Sequence, residues 1–593
     1  MKQAAAVLLG VLAAACSGGG KSPTAPPGGG TTTQNPCASV SVETAAGARL
    51  QAEAHDKTTA VDGDARWGVL DALALHAQSG RSPRPSLQPL GPPAQDVGDI
   101  AVIQDRGDII APPNLFDLRS TGLRFSPSGN GYEVRKIDGA FRGTLGASLT
   151  LSDDDSAQVN VPFAFPFYGE PQQIAFVNSD GNITFEDEDK ASTERNVARL
   201  MTGPPRVAPF LADLDPSAGG RVFVHAAGDQ YTVTWCGVRG FESTRVTNVQ
   251  ATLLPEGAVE LKFGETINIP DAVVGISPGR TGLFAPLDLS NATSRTGEPA
   301  AMGERFAQRP QLDTVALTRR FYETHPDDYD QLVIWTDQSL TVGAFAFEVT
   351  IANEISGIGL DLFELSGDFG SAGRLRSLAV MDFLGKYPED PTVKFLGENT
   401  TLSILGQEVG HRWLAFMDVR DHRGQRSDAL LGRGLSHWSF FFDSDASVME
   451  GNDIQDLGGG SFRTIDAVRR YSLLDQYAMG LIEAHEVPPL FYVENPSNVL
   501  PFKDRGSSPQ VGVTFNGTRR DVLIDDIVAV HGPRLPRASE SPRVHRQAFL
   551  YVVGAGREAA PAQIERVDTI RIMWESFFLE GTDGRMRAET RLR

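Results

Sequence analysis

Between about residues 140 and 280, apolar side chains recur at every second position, and this period constrains the fold more than any other feature of the chain. Val159-Asn-Val-Pro-Phe-Ala-Phe-Pro-Phe-Tyr168 alternates, and Ile174-Ala-Phe-Val177 and Asn182-Ile-Thr-Phe185 flank Asn178-Ser-Asp-Gly181. Successive strand side chains point to opposite faces, and an Asp-Gly pair between two such runs supplies a turn, so a hairpin is predicted here. Further strands are expected at 221–224, 231–235, 250–254 and 259–263. Short strands at regular spacing, separated by turn signals, predict a β-sandwich. The acidic loops Asp153-Asp-Asp155 and Asp213-Leu-Asp215 offer the oxygen donors that calcium accepts, but no EF-type spacing accompanies them, and a solvated turn is the plainer expectation.

The start of the chain reads as a targeting segment rather than as structure. Met1-Lys2 is followed by an apolar run over 4–15, shorter than the roughly 18 residues of a membrane span. It ends in Leu12-Ala-Ala-Ala-Cys16-Ser17-Gly18, which resembles the lipobox of bacterial lipoproteins, with Ala13 where Leu is usual and Leu12 one place early. The resemblance implies a signal peptide over 1–16 and lipidation of Cys16. It places the protein at the bacterial outer membrane or cell surface, or otherwise in the periplasm or secreted. Residues 17–36 form a Gly/Ser/Thr/Pro-rich tether.

The formal charge of −21, from 54 Lys+Arg against 75 Asp+Glu, excludes the basic face that nucleic acid requires. Membrane contact is expected only through the lipid anchor. Beyond Cys16 the cysteines are Cys37 and Cys236, which in an oxidising compartment either pair or stand as separate thiols.

Residues 37–140 have no clear fold from sequence, and a pro-segment or docking module would suit their position. A helix is expected over 64–78, where Trp67, Leu70, Ala74 and Ala77 fall on one face, then a Pro-rich linker over 82–93 and a strand at 99–103. Residues 281–320 read as a Gly/Ala/Arg-rich linker. From 321 a new domain begins, with strands expected at 329–335, 344–351 and 357–363. A helix or strand is expected over 375–384, with helices over 544–553 and 564–579.

The chemistry centres on Ile404-Leu-Gly-Gln-Glu-Val-Gly-His-Arg-Trp413. Leu402, Leu405, Val409, Trp413 and Phe416 recur at helical steps and form one stripe. Gln407 and His411 stack four apart on a different face, with Glu408 three before His411. Gly406 and Gly410 each cost a helix about 1 kcal/mol relative to Ala, so close packing against a strand is expected to motivate them. A His at 407 would complete H-E-x-x-H, in which two His bind zinc and the Glu is general base.

Two resemblances follow from these residues. Phe165-Pro-Phe-Tyr-Gly169, Asn178-Ser-Asp-Gly-Asn182, Ala208-Pro-Phe-Leu-Ala-Asp-Leu-Asp215 and the Trp235 strand resemble nidogen-like (NIDO-type) β-domains, which implies an adhesion or accessory module. The strands before the helix, a Gly-Ile-Gly segment and Gln407-Glu-Val-Gly-His411 resemble the zincin metallopeptidases over 321–593. The second resemblance implies zinc held by His411 and activation of its bound water by Glu408. His437 is the first choice for a further ligand, then Asp475, then Glu450, with Tyr477 as an oxyanion stabiliser. Met479-Gly480 is similar to the Met-turn of one zincin branch. Gln407 occupies the degenerate ligand position. Zinc in a structural site is worth roughly 10–16 kcal/mol, so a lost imidazole weakens the site by two orders of magnitude or more. The expected architecture is multidomain, a β-sandwich followed by an α+β zincin-like metallopeptidase domain. The expected function is an exported zinc peptidase acting on proteins or peptides. The alternative is an inactive pseudopeptidase that binds surface partners.

Overall fold

The computed structural model describes residues 36–40, 66–80, 94–191, 194–291, 293–340 and 344–593. The signal segment, Cys16 and most of the tether lie outside the described residues. The protein is multidomain and rich in β-structure. Its α-helices are α1 (Trp67–Ser79), α2 (Val197–Thr202), α3 (Thr314–Tyr322), α4 (Thr401–Gly410), α5 (Leu473–Ala478), α6 (Ile524–His531) and α7 (Pro561–Gly581).

The period-two region folds as two facing sheets. One has seven strands and runs from Ser156–Phe167 through Glu170–Asn178, Asn182–Phe185, Arg206–Leu211 and Ala272–Ser277 to Ala301–Phe306 and Phe284–Pro286. The other has nine strands, built around Gln230–Gly240, Val246–Leu253, Val259–Phe263, Thr121–Ser128 and Gly131–Asp138. The inward residues of the alternation (Phe165, Phe167, Phe185, Phe210, Trp235, Leu261) make the shared core, as sheet-on-sheet packing requires. The Asp-Gly hairpin forms as expected, with Asn178 paired to Asn182 and Gly181 at φ 68, where a Cβ would strike the Phe210 carbonyl. Trp235 Nε1 donates to the Asn178 carbonyl at 3.2 Å and ties the second sheet to this turn. Cys37 and Cys236 form a disulfide that closes 199 residues onto the second sheet.

The stretch read as a linker over 281–320 is instead built into the fold. Phe284–Pro286 and Ala301–Phe306 extend one sheet, Thr293–Arg295 edges the other, and α3 begins at Thr314. These strands are too short for their period to stand out among glycines and arginines. The described parts of residues 37–140 are likewise divided between the two domains. The strands at 121–138 belong to the sandwich, whereas Ile100–Gln104 lies parallel to Val544–Val553 in the C-terminal sheet. Helix α1 joins the two: Trp67, Leu70 and Ala74 pack on α2 and the sandwich, and Val69 packs into the C-terminal core.

The C-terminal sheet runs in the order Ala94–Val97, Ile100–Gln104, Val544–Val553, Gln331–Thr336, Ser377–Phe383, Phe347–Thr350, with Arg587–Glu589 beside Val544–Val553. Its four central strands are parallel and Phe347–Thr350 is antiparallel at the edge. Helices α4 and α7 cover one face, and α1 and α3 cover the other. Two expectations are corrected here. Residues 544–553 are a central strand rather than a helix, because a continuous apolar run buried on both faces carries no period to separate the two. Residues 357–363 do not form a third strand: Gly357 and Gly359 turn at φ 80 and 89, and Gly359 lies against the Phe416 carbonyl just beyond α4. A five-stranded closed barrel, from Phe442–Asp443 to Thr514–Val522, is inserted after α4 around Phe440, Phe441, Phe462, Phe491 and Phe515. Among the described residues no helix is long and apolar enough to cross a membrane.

Candidate functional site

Helix α4 starts at a capping box. Thr400 accepts from Ser403 N at 3.1 Å, and Ser403 Oγ accepts from Thr400 N at 2.8 Å, which satisfies two amide groups left without partners at a helix start. All ten residues of the helix are buried. Its two glycines serve close packing, though not against a strand. A Cβ at Gly406 would meet Val448 and Phe577, and one at Gly410 would meet Met449 and Tyr471. The segment 447–450 and helix α7 therefore press directly on α4. Tyr471 secures this contact by donating from its hydroxyl to the Gly406 carbonyl at 2.6 Å.

The turn of α4 that carries the motif meets the loop before the barrel. Gln407, Glu408, His411 and His437 are 4, 2, 1 and 0% exposed. The His437 Nδ1–H donates to the Arg433 carbonyl at 2.8 Å, which fixes the tautomer and leaves Nε2 as an acceptor. The Gln407 amide nitrogen sits 2.9 Å from that Nε2 and donates to it. His411 directs Nδ1 toward the Leu414 carbonyl at 3.4 Å, and its Nε2 is buried without a hydrogen-bond partner. The two imidazoles meet edge-on, with centroids 5.0 Å apart. Burial pushes His411 down to about 3, helped by His437 beside it, and burial with the Arg433 charge does the same to His437. Both rings are neutral at ordinary pH.

The structure thus brings Gln407, His411 and His437 together. It places the other expected residues differently. Asp475 is consumed as a structural acceptor: Oδ1 takes Trp438 Nε1 at 2.9 Å, and Oδ2 takes Ser447 Oγ at 2.6 Å and Ser472 N at 2.7 Å. It forms a capping box with Ser472 at the start of α5, and burial raises its carboxyl to about 6. The Ser-x-x-Asp signature at 472–475 was the available sign of this role. Tyr477 accepts from Arg534 N at 3.0 Å, so it is Tyr471 that reaches the motif helix. Glu450 lies near His411 but pairs with Arg433, Nη2 to Oε2 at 2.6 Å.

A catalytic zinc needs three protein ligands and an open position. The bare His411 Nε2 suits such a role, but the other donors do not fit it. The His437 lone pair is occupied by the amide, Asp475 is saturated, and Glu450 is engaged by a guanidinium. Among the described residues no group of three His, Cys, Asp or Glu is disposed to hold a metal. The residues present do not form a catalytic zinc site.

The acidic loops of the sandwich meet a similar arrangement. Asp154, Asp180 and Asp213 do converge, but on Arg195, at 2.5, 2.7 and 3.0 Å. Arg199 continues the network to Asp189 at 2.8 Å, where Arg206 also pairs. A guanidinium holds the place considered for calcium. Residues 131–315 match the family model described as NIDO related. The match begins with the strand Gly131–Asp138 and extends past Ala301–Phe306, so this NIDO-related domain includes the strands hidden in the stretch read as a linker. No curated protein and no solved structure matches the chain.

Proposed function

We propose that the chain is an exported, lipid-anchored binding protein of the bacterial envelope. Its NIDO-related sandwich serves as an adhesion module, and its C-terminal domain is a zincin-like scaffold that engages surface proteins without hydrolysing peptide bonds. The observation that carries this reading is the bond from the Gln407 amide to His437 Nε2 within a sealed layer. A neutral amide caps the imidazole that a peptidase would direct at its metal. Glu408, the residue that would act as general base, lies in the core and out of a substrate's reach.

A zinc peptidase is the competing reading. It is favoured by the bare Nε2 of His411 and by the Nδ1 contacts of both rings to backbone carbonyls, an arrangement shared with metal-ligating histidines. Proteolysis assays on denatured protein and peptide pools, comparing wild type with Glu408→Ala and with chelator-treated protein, separate the two. Indistinguishable background rates support the binding protein. Activity lost in Glu408→Ala and on chelation overturns it.

A further inference from the structure

Arg433 stands at the start of the turn that leads into His437. Gly434 and Leu435 follow at φ 61 and 52, a left-handed pair that folds the chain back sharply. The turn brings both ends of Arg433 to the site. Its carbonyl accepts from His437 Nδ1 at 2.8 Å, and its guanidinium lies 2.6 Å from Glu450 Oε2. The two charged side chains are 11 and 8% exposed, so the pair is largely removed from water. Glu450 is itself held at φ 59, at the end of the 447–450 segment that packs against Gly406 and Gly410 of α4. The carboxylate is therefore carried on the segment that packs against the motif helix, and Arg433 reaches it there. The Arg433 charge also bears on both rings: it adds to burial in lowering His437 and is among the causes lowering His411.

We infer that Arg433 is a resident cation that replaces a metal ion at this site. Its guanidinium takes up Glu450, a carboxylate near His411, and its charge repels a second cation from the two imidazoles. This role rests on the non-hydrolytic reading of the same site, and it explains how that state is maintained. Gln rather than His at 407 leaves one ligand position unfilled, and an internal positive charge then occupies the space in which a divalent ion would need Glu450. A buried guanidinium suits this position because it stays charged when removed from water.

The test is zinc titration, by competition with a chromophoric chelator, of wild type, Arg433→Met, Arg433→Lys and Arg433→Met combined with His411→Ala, each checked for fold by circular dichroism. Arg433→Met should bind zinc about 10- to 100-fold more tightly than wild type, the range by which groups beyond the ligands tune metal sites. His411→Ala should cancel that gain, and Arg433→Lys, which keeps a cation, should show none. A folded Arg433→Met with unchanged affinity overturns the inference, as does a gain in Arg433→Lys equal to that in Arg433→Met. If Arg433→Met does not fold, Arg433→Lys alone decides: unchanged affinity upholds the resident cation, and tighter binding overturns it. Peptide hydrolysis by wild type is read separately and bears on the non-hydrolytic reading instead.

Discussion

The acidic loops of the NIDO-related sandwich and the motif helix of the C-terminal domain each look, as sequence, like a place for a metal ion. In the fold each is met by an arginine from elsewhere in the chain. In the sandwich, Arg195 enters a ring of three aspartates and is itself the central cation. In the C-terminal domain, Arg433 binds one glutamate beside two neutral imidazoles and an amide. The first site has excess negative charge, and Asp153 is pushed up to about 7 by burial and by Asp154, Asp213, Asp215 and Asp180. The second holds its histidines down at about 3. One region thus resists deprotonation and the other resists protonation. A ligand-like set of residues specifies a metal site only if no fixed counter-charge reaches it first.

The largest effect separates the two regions. Reduction of Cys37–Cys236, or Cys37→Ser, releases a 199-residue closure worth about 5 kcal/mol in the chain-entropy account. Scanning calorimetry should show the sandwich transition falling while the C-terminal transition holds. Next, Arg195→Ala leaves buried aspartates without their counter-ion and should cost about 3–5 kcal/mol in the sandwich transition. A negligible cost would break the parallel with Arg433.

The pH dependence sharpens the contrast. An ordinary histidine near 6.5 takes up a proton in the unfolded chain while folded His437 does not, so stability is lost as pH falls from 6.5 toward 3. Between pH 6.5 and 5 this amounts to about 2 kcal/mol for His437, and His437→Gln should reduce the slope of urea-melt stabilities by that share while His411 keeps its own. Asp153 has the opposite sign: its folded carboxyl holds its proton up to about 7, so stability is lost as pH rises from about 4 through 7. Asp153 is only partly buried, and after solvent screening Asp153→Asn should gain no more than about 1 kcal/mol at pH 8.

Much of this was legible in the residues. The alternation from Val159 to Phe263 gave the strands of the sandwich, and the stripe through Leu402, Leu405 and Val409 placed α4 within a few positions. In the fold Gln407 and His411, four apart on α4, both lie against His437. What remained hidden is non-local. Arg195 and Arg433 are ordinary surface-type residues in sequence, and only the fold delivers them to their carboxylates. Ser472, three before Asp475, is a local sign of the helix cap that takes up this carboxylate. Residues 544–553 concealed a central strand because burial on both faces erases the period.

Whether the motif helix carries a metal in the native protein decides between a binding protein and a zinc peptidase. Zinc content by plasma mass spectrometry, measured on wild type purified in zinc-replete buffer and desalted, answers this directly. Substoichiometric zinc, unchanged by Glu450→Gln, is the expected result. One zinc per chain, lost in His411→Ala and His437→Ala, would contradict it.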